Sequence, residues 1–321
     1  MQKRQLGQSG LEVTTLTMGC WQAGKAQWSN VTDDDSVAAL RAAYDAGINF
    51  FDTAEVYGGG HSEEIVGQAL GDVRDQILIA TKLGAWSMAK EKVAPALEAS
   101  LKRLKTDHVD LYQIHWPSGS WGSDVVPLED TMGELMKLQE QGKFRALGVS
   151  NFDADLIQQT LKLGRIDSLQ PPYSLFFRPF EFDGTFKVCQ ENNIGIISYS
   201  SIAQGLLTGK FNKDNKPGEG DNRAGNALFQ GEHYDRALQA VDTLKPIAEK
   251  YNATTGQLAI AWVLAQPGIT SAIVGARNAE QVLGNVPASG LQISAEDLAE
   301  IERIGRTVTD HLPEDKNNMW G

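Results

Sequence analysis

Short apolar runs alternate with longer stretches of helical periodicity along almost the whole chain. The run Ile48-Asn49-Phe50-Phe51 leads directly into Asp52, where polarity reverses, and a loop then carries Tyr57 just ahead of Gly58-Gly59-Gly60. Similar runs lie at 15–18, ending at Gly19, at 77–80, ending at Thr81-Lys82, and at 109–114, ending at His115. Others occupy 146–149, ending at Ser150-Asn151, 168–169, ending at Gln170, 195–198, ending at Tyr199-Ser200, and 271–274, ending at Gly275. Between them the pattern predicts a helix from Asp33-Asp34-Asp35 to Gly47, then helices over 62–70, 91–104, 128–141, 154–163 and around 182–192. Two more helices precede the last strand. Carboxylates favour the positive N-terminal end of the first helix, and Gly47, Gly142 and Gly164 supply stops. Residues 2–14 predict a small hairpin turning at Gln8-Ser9-Gly10.

Strands that alternate with helices predict parallel βα units, and eight such units predict a closed (β/α)8 TIM barrel rather than an open sheet. The chain thus reads as one domain over 1–321, with the hairpin outside the repeat. In such a barrel the C-terminal strand ends share one face, which carries the site. Asp52, Lys82, His115, Asn151, Gln170 and Tyr199 all fall at or just beyond such ends. Residues 211–232, rich in Gly, Asn and charge, follow the seventh strand and read as a lid above that face. The tail after Arg306, with Pro313, Lys316, Asn317 and Trp320, either covers the pocket or frays.

Composition narrows the function. The 321 residues are 41% hydrophobic and 22% charged, enough for an ordinary globular core. A formal charge of −12 argues against non-specific nucleic-acid binding, yet leaves room for a small anionic cofactor held by local cations. Cys20 and Cys189 are too few for a disulfide framework or a zinc cluster, and read as reduced thiols of a cytoplasmic protein. The longest apolar run, 258–265, is far short of the ~20 residues that span a membrane, and no apolar run follows the N-terminus to make a secretory signal. His61 with Glu63 and Glu64 gains no further ligands, so no metal is expected. His108 precedes its strand and reads as surface.

The polar strand ends permit one chemistry in particular. A tyrosine hydroxyl near pKa 10 is a poor donor at neutral pH. An ammonium about 4 Å away, at an effective dielectric of about 20, is worth roughly 4 kcal/mol to the phenolate, which lowers the tyrosine pKa by as much as ~3. Lys82 would tune Tyr57 in this way, Asp52 would orient Lys82 and partly offset its field, and His115 would hydrogen-bond beside the same oxygen. The four describe a general acid for reducing a carbonyl. The hydride must come from a cofactor, since no side chain supplies one.

Over almost its whole length the chain resembles an aldo-keto reductase. The resemblance rests on Phe51-Asp52-Thr53-Ala54-Glu55-Val56-Tyr57-Gly58, Ser62-Glu63-Glu64-Ile65-Val66-Gly67, Thr81-Lys82, Gln113-Ile114-His115-Trp116-Pro117 and Gly148-Val149-Ser150-Asn151-Phe152. It leans towards the branch resembling potassium-channel β subunits and bacterial general reductases. It implies NADPH as cofactor, the hairpin as closure of the barrel base, and the roles just given for Asp52, Tyr57, Lys82 and His115. It further implies that Ser150, Asn151 and Gln170 hold the nicotinamide carboxamide and that Tyr199 stacks on the ring. The stretch 200–210, with Ser200, Ala203, Gly205 and Lys210, would cradle the pyrophosphate, where small residues let backbone N–H groups approach. Gly275, Arg277, Gln281 and Asn285 would surround the adenosine 2′-phosphate, with Arg277 as a planar fork and Arg223 of the lid as a second candidate. Many family members have Lys-Ser where this chain has Gly275-Ala276, and an acidic residue in place of Gly284. These departures weaken cofactor binding or relax the choice between NADPH and NADH.

Trp21, Trp86 and Trp116 follow the first, third and fourth strands and would wall a pocket suited to aldehydes with apolar or aromatic bodies; Trp28 and Trp121 are further aromatic candidates. The leading function is therefore NADPH-dependent reduction of aldehydes or ketones to alcohols by a monomer or weak homo-oligomer. The alternative is a redox-sensing or auxiliary subunit that binds NADPH and turns over slowly.

Overall fold

The computed structural model describes residues 1–26, 31–218 and 221–312; Trp28 and the tail with Pro313, Lys316, Asn317 and Trp320 lie outside them. Strands β1 (Lys3–Gln5) and β2 (Glu12–Thr14) pair antiparallel as the expected hairpin. The next strands are β3 (Leu16–Gly19), β4 (Phe50–Asp52), β5 (Leu78–Leu83) and β6 (Val109–Ile114). They are followed by β7 (Phe144–Ser150), β8 (Ser168–Gln170), β9 (Gly195–Ser198) and β10 (Ile269–Gly275). All pairings from β3 onward are parallel, and β10 closes onto β3 to complete a barrel of eight strands.

Helices α1 (Asp33–Asp45), α2 (His61–Leu70), α3 (Lys90–Leu104), α4 (Leu128–Glu140) and α5 (Ala154–Leu161) follow β3 to β7 in turn. Thr32 caps α1 by accepting from Asp35 N, with three aspartates in the first turn, as the acidic run suggested. The helix expected around 182–192 is broken into α6 (Pro179–Phe182) and α7 (Thr185–Glu191). Gly184 lies between them at φ +92°, a conformation that a right-handed helix does not continue through. Then come α8 (Gly231–Lys250), α9 (Thr255–Ala265), α10 (Ala279–Asn285) and α11 (Ala295–Thr309).

The barrel interior is layered. Leu6, Leu11 and Val13 of the hairpin pack on Phe50, Ala80, Leu111, Ala146, Ile197 and Ile273, which plugs the base with apolar side chains. Residues two apart along a strand share a face. The next layer up is therefore Asp52, Lys82, Gln113, Gly148, Tyr199 and Gly275, and the interior turns polar within one step. Outward-facing residues such as Phe51, Ile79, Tyr112 and Leu147 belong to the second core beneath the helices. The long loop after β9 is pinned down: Phe211, Leu228 and Phe229 are buried, and the rings of Phe211 and Phe229 meet edge to face at 5.4 Å.

Candidate active site

A cleft of about 740 Å³ opens at the C-terminal face of the barrel. Asp52, Tyr57 and His115 line it, and Lys82 stands behind them, fully buried. The Lys82 ammonium donates to Asp52 Oδ1 at 2.6 Å, to Thr53 O at 2.7 Å and to Tyr57 Oη at 3.2 Å. Three acceptors for three protons hold it in one place. The His115 ring meets Tyr57 edge on, with centroids 5.6 Å apart.

The electrostatics depart from the sequence expectation at one point. Burial pushes the Tyr57 phenol up, Lys82 pulls it down, Asp52 pushes it up again, and the net direction is upward rather than towards neutrality. The main reason is burial of the phenol, and Asp52 beside Lys82 adds to it by offsetting part of the ammonium field. Burial is also the largest influence on Lys82 and opposes its charge, but Asp52 and Tyr57 together raise its pKa, so it stays an ammonium. Burial, and then Lys82, hold His115 well below its ordinary value, so its ring is neutral.

The residues expected along the cofactor reach the same cleft. Ser150, Asn151, Gln170, Tyr199, Ser200, Gly205, Lys210, Arg223, Gly275, Arg277, Gln281 and Asn285 all line it, while Ala203 sits just beneath, fully buried. Several are already engaged with one another. Tyr199 Oη donates to Asn151 Oδ1 at 2.8 Å, Asn151 Nδ2 donates to His115 O at 2.9 Å, and Ser150 Oγ donates to Gln170 O at 2.8 Å. Gln170 Nε2 turns to Asp52 Oδ2 at 2.8 Å.

The far end of the cleft fits a negatively charged group. Burial, then Arg223 and Arg277, lower the Lys210 pKa, and Asp221 works the other way. Asp221 is itself held by Arg223, Nε to Oδ1 at 2.8 Å. The backbone is left-handed at Ser200, Ala203, Gln204 and Gly205, and the N–H groups of Ala203 and Gly205 donate to Ser200 O and Ile202 O. At Gly275 an added Cβ would lie 2.4 Å from the Gln22 side chain, so Gln22 fills the space a larger residue there would take.

Trp21, Trp86 and Trp116 wall the other end, joined by Val56 and Trp121. Trp86 and Trp121 are 51% and 55% exposed, and Trp121 meets Trp116 edge to face at 5.3 Å. Sequence reasoning missed Gln22 and Gln113. Alternation along β6, with Leu111 facing inward, is the signal that would have turned Gln113 into the barrel. Among the described residues no group of three or more His, Cys, Asp or Glu could hold a metal. His61 Nε2 instead meets Asp33 at 2.7 Å, and Glu63 is buried against Arg103 and Thr81. Both cysteines are buried free thiols, with Cys189 pushed up to about 12 by burial. Among the described residues no helix is long and apolar enough to cross a membrane.

A closed (β/α)8 barrel with a lysine–aspartate pair set behind a tyrosine, at the edge of an apolar cleft, is the outline of an oxidoreductase that works at carbonyl groups. The model of the aldo/keto reductase family matches residues 15–306, and the chain belongs to that family. It is 33% identical over 329 residues to the NADH-specific methylglyoxal reductase of Escherichia coli (strain K12), spanning 96% of this chain and 99% of that one. The solved glycerol dehydrogenase AKR11B4 from Gluconobacter oxydans superposes with a TM-score of 0.87 at 32% identity, covering 97% of each chain. An aldo-keto reductase from Klebsiella pneumoniae, solved in complex with NADPH, superposes with a TM-score of 0.76 at 29% identity over 99% of each chain.

Proposed function

We propose that this protein reduces aldehydes or ketones to alcohols with NADPH, Tyr57 giving the proton. The observation that carries the reading is the Lys82 ammonium, shared between Asp52 and Tyr57 at one end of a cleft whose other end gathers Lys210, Arg223 and Arg277. When bound, a reduced nicotinamide supplies the hydride. The side chains do the rest. Tyr57 Oη gives its proton as the carbonyl oxygen gains charge, and Lys82 at 3.2 Å stabilises the phenolate left behind. Asp52 and Thr53 O keep the ammonium in that position. His115, neutral, can donate an N–H to the same carbonyl oxygen without adding a charge. The tryptophan walls favour an apolar or aromatic substrate body and keep water from the reacting oxygen.

NADPH is preferred over NADH in this reading because the cation cluster suits a cofactor with an additional phosphate. The relatives point both ways, one being NADH-specific and one solved with NADPH. The deciding experiment follows NADPH absorbance with an aromatic aldehyde for the parent and for Tyr57→Phe. Turnover in the parent and a loss of roughly 10³-fold in the variant is expected, within the range of general-acid contributions. Equal rates would remove Tyr57 as the donor.

A further inference from the structure

Lys82 takes only one of the two oxygens of Asp52. The other, Oδ2, accepts from Gln170 Nε2 at 2.8 Å and, at longer range, from Gln113 Nε2 at 3.3 Å. The same Gln170 nitrogen lies 3.4 Å from Gln113 Oε1, which ties the two amides together. An ionised carboxylate only accepts, so the amide atoms that face it must be the NH2 groups, and the partner's chemistry fixes both orientations. Asp52, Gln113 and Gln170 are 3%, 0% and 2% exposed, so water does not replace a lost donor.

The place of Gln113 is built into the barrel. It stands in register with Lys82 on β5 and with Gly148 on β7. A Cβ at position 148 would come within 3.0 Å of Gln113 Cγ and 2.3 Å of Ser168 Oγ, so the glycine leaves the room that the glutamine fills.

We propose that Gln113 and Gln170 are positioning residues: their paired carboxamides hold Asp52 aimed at Lys82, and through Lys82 they fix Tyr57. The inference rests on the reading of Tyr57 as proton donor, and Gln113 is the member to test because it does not reach the cleft. In Gln113→Glu, a protonated carboxyl at low pH donates to Asp52 as the amide does. As pH rises it ionises beside Asp52, and two like charges at that distance repel. The kcat of this variant should therefore match the parent at low pH and fall about ten-fold as pH rises, with an inflection that the parent lacks. Gln113→Leu should lose about ten-fold in kcat at every pH, with no inflection, the size expected for a donor to a charged group. KM and the cofactor Kd, read from tryptophan fluorescence, should stay within about two-fold in both.

Gln113→Glu with the parent's kcat and pH profile would overturn the proposal, as would Gln113→Leu with the parent's kcat. If Gln113→Glu does not fold, the kcat of Gln113→Leu decides. A parent that binds cofactor without turning over would sink the reductase reading alone. Melting then decides the Asp52 contact: Gln113→Glu should lose melting temperature as pH rises, relative to Gln113→Leu, and parallel curves would overturn it.

Discussion

At the Tyr57 end of the cleft the lysine ammonium has three protein acceptors within 3.2 Å, whereas at the other end Lys210 faces Arg223 and Arg277 with Asp221 as the opposing charge. The first end is complete without a ligand: its charges are paired, buried and held by hydrogen bonds. The second carries repulsion that an anion would relieve. One end is thus closed by contacts within the protein, and at the other Lys210 and Arg277 gather beside the Arg223–Asp221 pair. The buried pair fixes geometry at the cost of desolvation, whereas Arg223 and Arg277 act against the Lys210 charge.

The comparison breaks most visibly at Lys82. Lys82→Met leaves Asp52 buried against its two glutamines without a cation. It should cost about 3–5 kcal/mol of stability, the usual penalty for halving a buried pair. Denaturant unfolding measures this, and kcat should fall by roughly 10³-fold in the same protein. A variant of parental stability would mean that the pair contributes nothing to the fold.

Next in size is Arg277→Ala, at the end where the cations gather. The NADPH Kd should rise about ten-fold, and that of NADH by less than about two-fold, as expected for one charge-assisted contact to phosphate. Fluorescence titration with both cofactors checks it, and equal effects would remove the phosphate role of Arg277.

The smallest effects are in pH dependence, and the two ends should differ in sign. The Lys210 pKa is depressed, so its charge is lost as pH rises through a value below the ordinary 10.5, and NADPH affinity should weaken ahead of that value. The His115 pKa is depressed too, so the ring is already neutral at its ordinary 6.5 and gains a proton only well below it. The stability that its neutral form contributes is complete above 6.5 and is lost as pH falls towards the folded-state value. Reductive kcat should therefore show no inflection near 6.5, and an inflection there would mean that the ring is not desolvated.

Asp52, Lys82 and His115 were legible in the sequence because each interrupts or ends an apolar run, and the barrel gathers such ends on one face. Gln113 was not, since it lies one residue inside its run and only the alternation from Leu111 marks it as inward. The direction of the Tyr57 shift was hidden for another reason. It turns on how much water is excluded and how closely Asp52 answers Lys82, and neither is written in residue spacing. The pairing of Arg223 with Asp221 is local, yet the approach of both to Lys210 depends on how the loop after β9 folds back. The hairpin was visible as two short arms, but that Leu6, Leu11 and Val13 enter the barrel could be known only from the closed sheet.

That hairpin also binds an early segment of the sequence to a much later one. Arg4 Nη1 donates to Ile269 O at 2.6 Å across 265 positions, and Arg4 Nη2 donates to Leu264 O at 3.0 Å. The final strand, β10, closes the barrel by pairing with the first, β3. During synthesis Arg4 therefore waits for 265 further positions before its partner Ile269 exists. The apolar plug is not fully sealed until Ile273 of β10 is made, and that closure bridges a very long loop.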